Sequence, residues 1–219
     1  ARKIEARFKW QGNTEALALM LRGPGSLEKG RALIVFAPHF VGLDVAWTAL
    51  SLKREGALST IYTPQSSKVA DAWMRESRAR FGRVSLFTRE DGVKRIVSGL
   101  RKGELLYLLP DMNFGPEESI FVPFFGIQTN IITTISRLAK ITGADVCLMT
   151  TTLKADESGY LCEIREPLEN FPGTDPKSDT ARLNQYFEAE IRLRPAEYYW
   201  VHKRFKNPPD SGPSPYNPS

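Results

Sequence analysis

Short apolar runs alternate along this chain with longer stretches in which apolar positions recur at helical spacing, the pattern of an α/β layer architecture. Ala32 to Ala37 is a continuous apolar run between Gly30 and Pro38, and it reads as a strand buried on both faces. A helix is expected over Val45 to Arg54 and a second strand over Leu58 to Tyr62. From Ser67 to Phe81, Val69, Ala70, Trp73 and Met74 stand between charges, as in an amphipathic helix. Glu90 to Lys102 repeats the helical signal, with Val93, Ile96, Val97 and Leu100 on one stripe and Gly103 as its stop. The strand Glu104 to Leu109 follows at once.

After Asp111 the periodicity breaks from Met112 to Asn130, a stretch rich in Gly, Pro, Phe and Asn that is too long for an ordinary connection and reads as a functional loop. A helix is expected over Ile131 to Thr142, closed by Gly143. Two strands, Asp145 to Lys154 and Tyr160 to Arg165, are joined across the turn at Asp156 to Gly159, and a further amphipathic helix covers Asp179 to Leu193. The fold class is therefore α/β: a single domain over residues 1–206 with a mixed central β-sheet flanked by helices. Residues 207–219, nearly all Pro, Ser, Gly and Asn, form a tail expected to be extended or disordered.

Composition narrows the function. With 219 residues, 42% hydrophobic and 25% charged, the chain can build one core and is not a disordered protein. No apolar run approaches the roughly 18 to 20 residues that span a bilayer, and no secretory signal opens the chain. Cys147 and Cys162 lie inside apolar runs and read as buried thiols in a reducing compartment, with one disulfide between them left open. Two histidines make a zinc site improbable. A net charge of +5 points to an anionic partner: nucleic acid, phosphorylated metabolite, acidic protein or membrane face.

The main candidate for chemistry is the segment Ala37 to Asp44, where the first buried strand runs out. Five steps along a regular helix would turn His39 and Asp44 about 140° apart, so they meet only across a strand-to-helix turn, which Pro38 and Gly42 permit. Asp44 would then fix the tautomer of His39, leaving the other ring nitrogen as a base toward a hydroxyl. The alternative is a loop histidine bonded to backbone and an Asp44 that merely caps the next helix. Open α/β sheets bind ligands beyond such strand ends.

The His39-x4-Asp44 box, the strand ending Leu109-Pro110-Asp111 with Gly115 four residues on, Phe-Val-Pro-Phe-Phe-Gly at 121 to 126 and Tyr-Trp-Val-His-Lys-Arg-Phe-Lys at 199 to 206 together resemble the late acyltransferases of lipid A biosynthesis. The resemblance runs from about Arg31 to Lys206 and implies a glycerolipid-acyltransferase-like fold. It implies transfer of an acyl chain from acyl-carrier protein to a hydroxyl of a lipid A precursor, at the cytoplasmic face of the bacterial inner membrane, with no metal or redox cofactor. His39 would deprotonate the acceptor and Asp44 would support the imidazole. An arginine is implied between the boxes, Arg78 or Arg80, with Arg80 favoured. Asp111 is implied at the site and Arg204 in substrate support, whereas Gly115 and Gly126 read as backbone turns. Phe114, Phe121, Phe124 and Phe125 either line an acyl pocket or pack on the core. The segment from Trp200 to Lys206, which includes His202, suits an anionic interface or an acidic carrier.

The chain departs from the family pattern at Asp44, where many members carry Glu, at Cys147, where a proline is expected, and at Asn130-Ile131. The family's N-terminal transmembrane helix is not in this sequence, cut away or never present. Three rival readings remain: the same dyad acting on a glycerol phosphate, lysophospholipid or amino-acid lipid, a thioester hydrolase, and a basic nucleic-acid module. The last lacks any nucleic-acid-binding signature, so no nucleic acid is expected as a partner.

Overall fold

The computed structural model describes residues 5–12, 17, 20, 21, 32–113, 119–209 and 214–216. Seven strands form one sheet: β1 (Phe8–Gly12), β2 (Leu33–Phe36), β3 (Ala57–Ile61), β4 (Arg83–Phe87), β5 (Leu105–Leu108), β8 (Asp145–Leu153) and β9 (Tyr160–Pro167). Their order is β1-β9-β8-β2-β5-β3-β4. β2, β3, β4, β5 and β8 run parallel, while β9 pairs antiparallel with β8 and carries β1 parallel to itself. β6 (Ile120–Phe124) and β7 (Ile127–Ile131) form a separate antiparallel hairpin.

The continuous apolar runs are explained by the two faces of the sheet. Successive strand side chains point to opposite sides, so Ile34 and Phe36 of β2 join one core while Leu33 and Val35 join the other. The helices α3 (Val93–Arg101), α4 (Thr134–Thr142) and α5 (Pro176–Leu193) cover the first face through Leu100, Leu138 and Phe187. Helix α1 (Leu43–Lys53) covers the second through Ala46, Trp47 and Leu50. Helix α2 (Lys68–Arg78) buries none of its residues, although its side chains are segregated by polarity. Asp175 caps α5 by accepting from the N–H groups of Lys177 and Ser178, with Pro176 at the first helical position. Gly143 closes α4 in the left-handed conformation, as the sequence predicts.

Three elements differ from the sequence reading. The segment 112–130, read as irregular, holds the β6–β7 hairpin. Its two-residue turn needs positive φ at both positions, which Phe125 (50°) and Gly126 (81°) supply. A phenylalanine is unusual there, and Pro123 interrupts the strand pattern, so the hairpin is masked in the sequence. Asn184 of α5 holds it by donating to the Pro123 carbonyl at 2.9 Å. β1 and β4 were also unexpected. Both are edge strands of mixed polarity, where burial imposes little pattern. No disulfide joins Cys147 and Cys162, and both are buried. In the tail, residues 210–213 and 217–219 lie outside the described residues, and Tyr216 accepts a hydrogen bond from the Phe205 N–H at 3.3 Å.

Candidate active site

The site begins with strand register. Phe36 of β2 pairs with Leu108 of the adjacent parallel strand β5. Each strand is then followed by one apolar residue, a proline and a polar residue: Ala37-Pro38-His39 and Leu109-Pro110-Asp111. Proline has no N–H to donate, so neither ladder continues beyond it. His39 and Asp111 therefore emerge side by side at the carboxyl end of the sheet. The carboxylate accepts from the His39 backbone N–H at 2.9 Å through Oδ2 and from ring Nδ1–H at 2.5 Å through Oδ1.

Asp111 is buried behind the ring, between the cavity-lining residues Pro110 and Met112. A carboxylate in such a place is costly unless it is bonded and paired. Tyr198 supplies a third hydrogen bond, its hydroxyl donating to Oδ2 at 3.0 Å. Burial opposes ionisation of Asp111, but the His39 charge and hydrogen bonds, with help from Arg204, outweigh it and hold the carboxyl at about 2. Burial, reinforced by the Asp111 charge, pushes the Tyr198 hydroxyl above its ordinary value and keeps it a donor. With Nδ1–H committed to a carboxylate, the lone pair of His39 is on Nε2, which has no protein partner among the described residues.

Asp44, expected to orient His39, makes no hydrogen bond to it. Helix α1 starts at Leu43, immediately after Gly42, and carries Asp44 toward α2 instead. There Oδ1 accepts from Arg78 Nε at 2.9 Å and pairs with Nη2 at 2.8 Å, in a position where the Asp44 side chain is 68% exposed. One turn along α1, Trp47 donates its indole N–H to the Arg78 carbonyl at 2.7 Å. Two residues of α1 thus hold both ends of Arg78. Arg80, the arginine favoured from sequence, lies beyond the end of α2 with its guanidinium over the Phe81 ring, and it does not line the cavity.

His39, Asp44 and Arg78 stand at a cavity of about 920 Å³ beyond the carboxyl ends of β2, β3 and β5. Leu43, Trp47 and Tyr107 line one part of it, and Ile96 of α3 with Ile135 and Leu138 of α4 form an apolar wall. None of Phe121, Phe124 and Phe125 lines it. Phe124 is in the core, and Phe125 lies beside Trp200, their ring centres 6.4 Å apart. Phe114 and Gly115 lie outside the described residues, and Gly126 is the hairpin turn.

Arg204 does not reach the cavity either. It is 2% exposed, with its guanidinium 4.1 Å from the Phe124 ring centre and Nη2 donating to Asn184 Oδ1 at 3.1 Å. It supports the buried charge of Asp111 from behind. His202 accepts the backbone N–H of Asn113 at Nε2, 3.0 Å away, and so ties the C-terminal segment to the residues just after Asp111. The sequence reading missed Tyr198 and misplaced the orienting carboxylate. The signal for the latter was present, because Asp111 follows its strand at the offset at which His39 follows its own. Among the described residues no group of three or more His, Cys, Asp or Glu side chains is arranged to hold a metal ion.

The arrangement is a histidine bonded to a buried carboxylate, at a cavity lined by Asp44 and Arg78 on one part and by Ile96, Ile135 and Leu138 on another. Residues 1–207 match the family described as bacterial lipid A biosynthesis acyltransferase, and the chain belongs to that family. It is similar to the lipid A biosynthesis palmitoleoyltransferase of Escherichia coli (strain K12), with 32% identity over 183 residues, 83% of this chain and 58% of the relative. The lauroyltransferase of the same organism is 29% identical over 187 residues, covering 85% of this chain and 60% of the relative. The myristoyltransferase is 29% identical over 205 residues, covering 93% and 60%. The chain thus spans about three-fifths of the length of these relatives.

Proposed function

We propose that this chain transfers a fatty acyl group from an acyl-carrier-protein thioester to a hydroxyl of a lipid A precursor at the cytoplasmic face of the inner membrane. The observation that carries the reading is the His39–Asp111 pair at the mouth of a cavity with an apolar wall. Nε2 of His39 takes the proton of the acceptor hydroxyl as its oxygen attacks the thioester carbonyl, and Asp111 stabilises the imidazolium that forms. Collapse of the tetrahedral species breaks the C–S bond, and the imidazolium returns its proton to the leaving thiolate. No covalent enzyme intermediate is needed, because a thioester is already activated. The polar end of the cavity, with Arg78 held by Asp44, receives developing negative charge or an acceptor phosphate. The wall formed by Ile96, Ile135 and Leu138 receives the acyl chain.

The test is incubation with acyl-carrier thioesters and a lipid A precursor, with the product weighed by mass spectrometry. An added acyl mass that is lost in His39→Ala supports the reading. Thioester loss at equal rates with and without acceptor overturns it in favour of hydrolysis, and transfer to a lysophospholipid alone would assign another acceptor.

A further inference from the structure

Helix α2 is amphipathic by sequence and is tied to α1 through Arg78, yet it leaves an apolar ridge open. Val69 is 81% and Trp73 72% exposed, one turn apart on the same face. An isolated apolar ridge is a minor feature, but this one continues around the cavity mouth. Trp73 precedes the cavity-lining Met74, and Val93, the exposed first residue of α3, lines the cavity itself. The exposed Val41 lies in the chain between His39 and Leu43, which both line the cavity. Its N–H donates to the Glu197 carbonyl at 2.8 Å, and the Tyr199 N–H donates to the His39 carbonyl at 2.8 Å. These bonds bring the exposed Trp200 and Val201 to the same end of the sheet.

We infer that this rim is a membrane-docking face, with α2 lying at the bilayer interface and the cavity opening onto the lipid. The inference rests on the proposed function, since a lipid acceptor must enter from the bilayer that holds it. Two further observations choose a lipid surface over a protein partner. The apolar side chains come from four separate segments rather than lining one groove, which suits a flat, fluid surface. Basic residues accompany them: Lys68 precedes Val69, Lys94 follows Val93, and Lys203 stands two residues after Val201. Lys68 and Lys94 are exposed and enter no ion pair among the described residues, leaving both charges available to anionic headgroups.

The test is partition of the protein onto vesicles of phosphatidylethanolamine and phosphatidylglycerol, compared with phosphatidylcholine alone, together with quenching of tryptophan fluorescence by lipids brominated on the acyl chain. Wild type should bind the anionic vesicles, and quenching should fall in Trp73→Phe. The double variant Val69→Ser/Trp73→Ser should lose roughly tenfold or more in vesicle affinity. It should keep the wild-type rate of acyl transfer on a detergent-dispersed acceptor and lose rate on the same acceptor in vesicles. Equal vesicle affinity of wild type and double variant overturns the inference. So does a double variant that binds vesicles normally but loses affinity for acyl-carrier protein, which would make α2 a protein-docking helix. Absence of acyl transfer in every format would reject the proposed function, while partition and quenching would still decide the membrane face.

Discussion

His39 and Asp111 lie 72 residues apart in the chain and 2.5 Å apart in space, each at the same distance beyond one of two adjacent, in-register strands. The carboxylate that serves the histidine is supplied by the neighbouring strand rather than by the helix that follows His39. Asp44, closer in sequence, serves Arg78.

Asp111→Asn should therefore lower acyl transfer by about 10² or more, because an amide can hold the imidazole in the wrong tautomer and cannot stabilise its charged form. His39→Ala should cost as much, and the double variant little more than either alone. Steady-state rates, with thermal melting to confirm folding, check this. Additive losses would mean that the two residues act separately.

The two arginines separated by the structure should differ in effect. Arg78→Ala removes the partner of Asp44 and should lower transfer by roughly 10- to 100-fold through misplacement at the cavity mouth. Arg80→Ala, which removes only an exposed guanidinium from above Phe81, should stay within about twofold of wild type in the same assay. The reverse ranking would restore Arg80 as the site arginine.

Tyr198→Phe deletes one of the three hydrogen bonds on Asp111 without changing the packing of the ring. It should destabilise the fold by about 1 to 3 kcal/mol, since the acceptor is a buried charge. It should also raise the Asp111 pKa by removing a bond to the ionised form, so that acid inactivation begins at a higher pH. Urea titrations and a pH–rate profile give both readouts.

His202 provides a second pH dependence with a defined sign. Burial, with the positive charges of His39 and Arg204, pushes its imidazole below the ordinary 6.5. The unfolded chain therefore binds the proton more readily than the folded one. The stability tied to neutral His202 is complete above 6.5 and falls away as pH drops through the lowered folded value. Protonation also turns Nε2 into a donor facing the Asn113 N–H, which is itself a donor. His202→Gln, whose side-chain carbonyl can still accept that bond, should flatten the stability profile below pH 6.5 in urea titrations at a series of pH values. An unchanged slope would assign the dependence to another group.

Much of this architecture is written in local pattern. The buried strands β2, β5 and β8 and the helices around them follow from apolar runs and helical stripes, because a sheet covered on both faces imposes burial on nearly every side chain of its central strands. The β6–β7 hairpin is hidden by Phe125 at a positive φ and by Pro123 within a strand. Edge strands β1 and β4 are hidden by partial exposure. His39 stands out by its rarity and by its place at a strand end. Asp111 carries a fainter signal, the same offset from its strand as His39, but the strand order that brings it alongside is a tertiary fact, and so is the start of helix α1 that turns Asp44 toward α2 instead. The choice between Arg78 and Arg80 likewise depends on where α2 ends, within the range in which helix boundaries are least legible.

The paired Pro38 and Pro110 have a consequence for how the site assembles. Because His39 and Asp111 hang from two ladders that stop at the same level, the pair comes into being only when β2 and β5 zip together, after a loop of some seventy residues has closed. Neither partner is poised in the nascent chain, and no fragment ending before Asp111 contains the dyad. Under the proposed function, recovery of acyl transfer during refolding should report one particular strand pairing, and deleting a single residue between Phe36 and His39, or between Leu108 and Asp111, should abolish it while leaving the rest of the sheet to form.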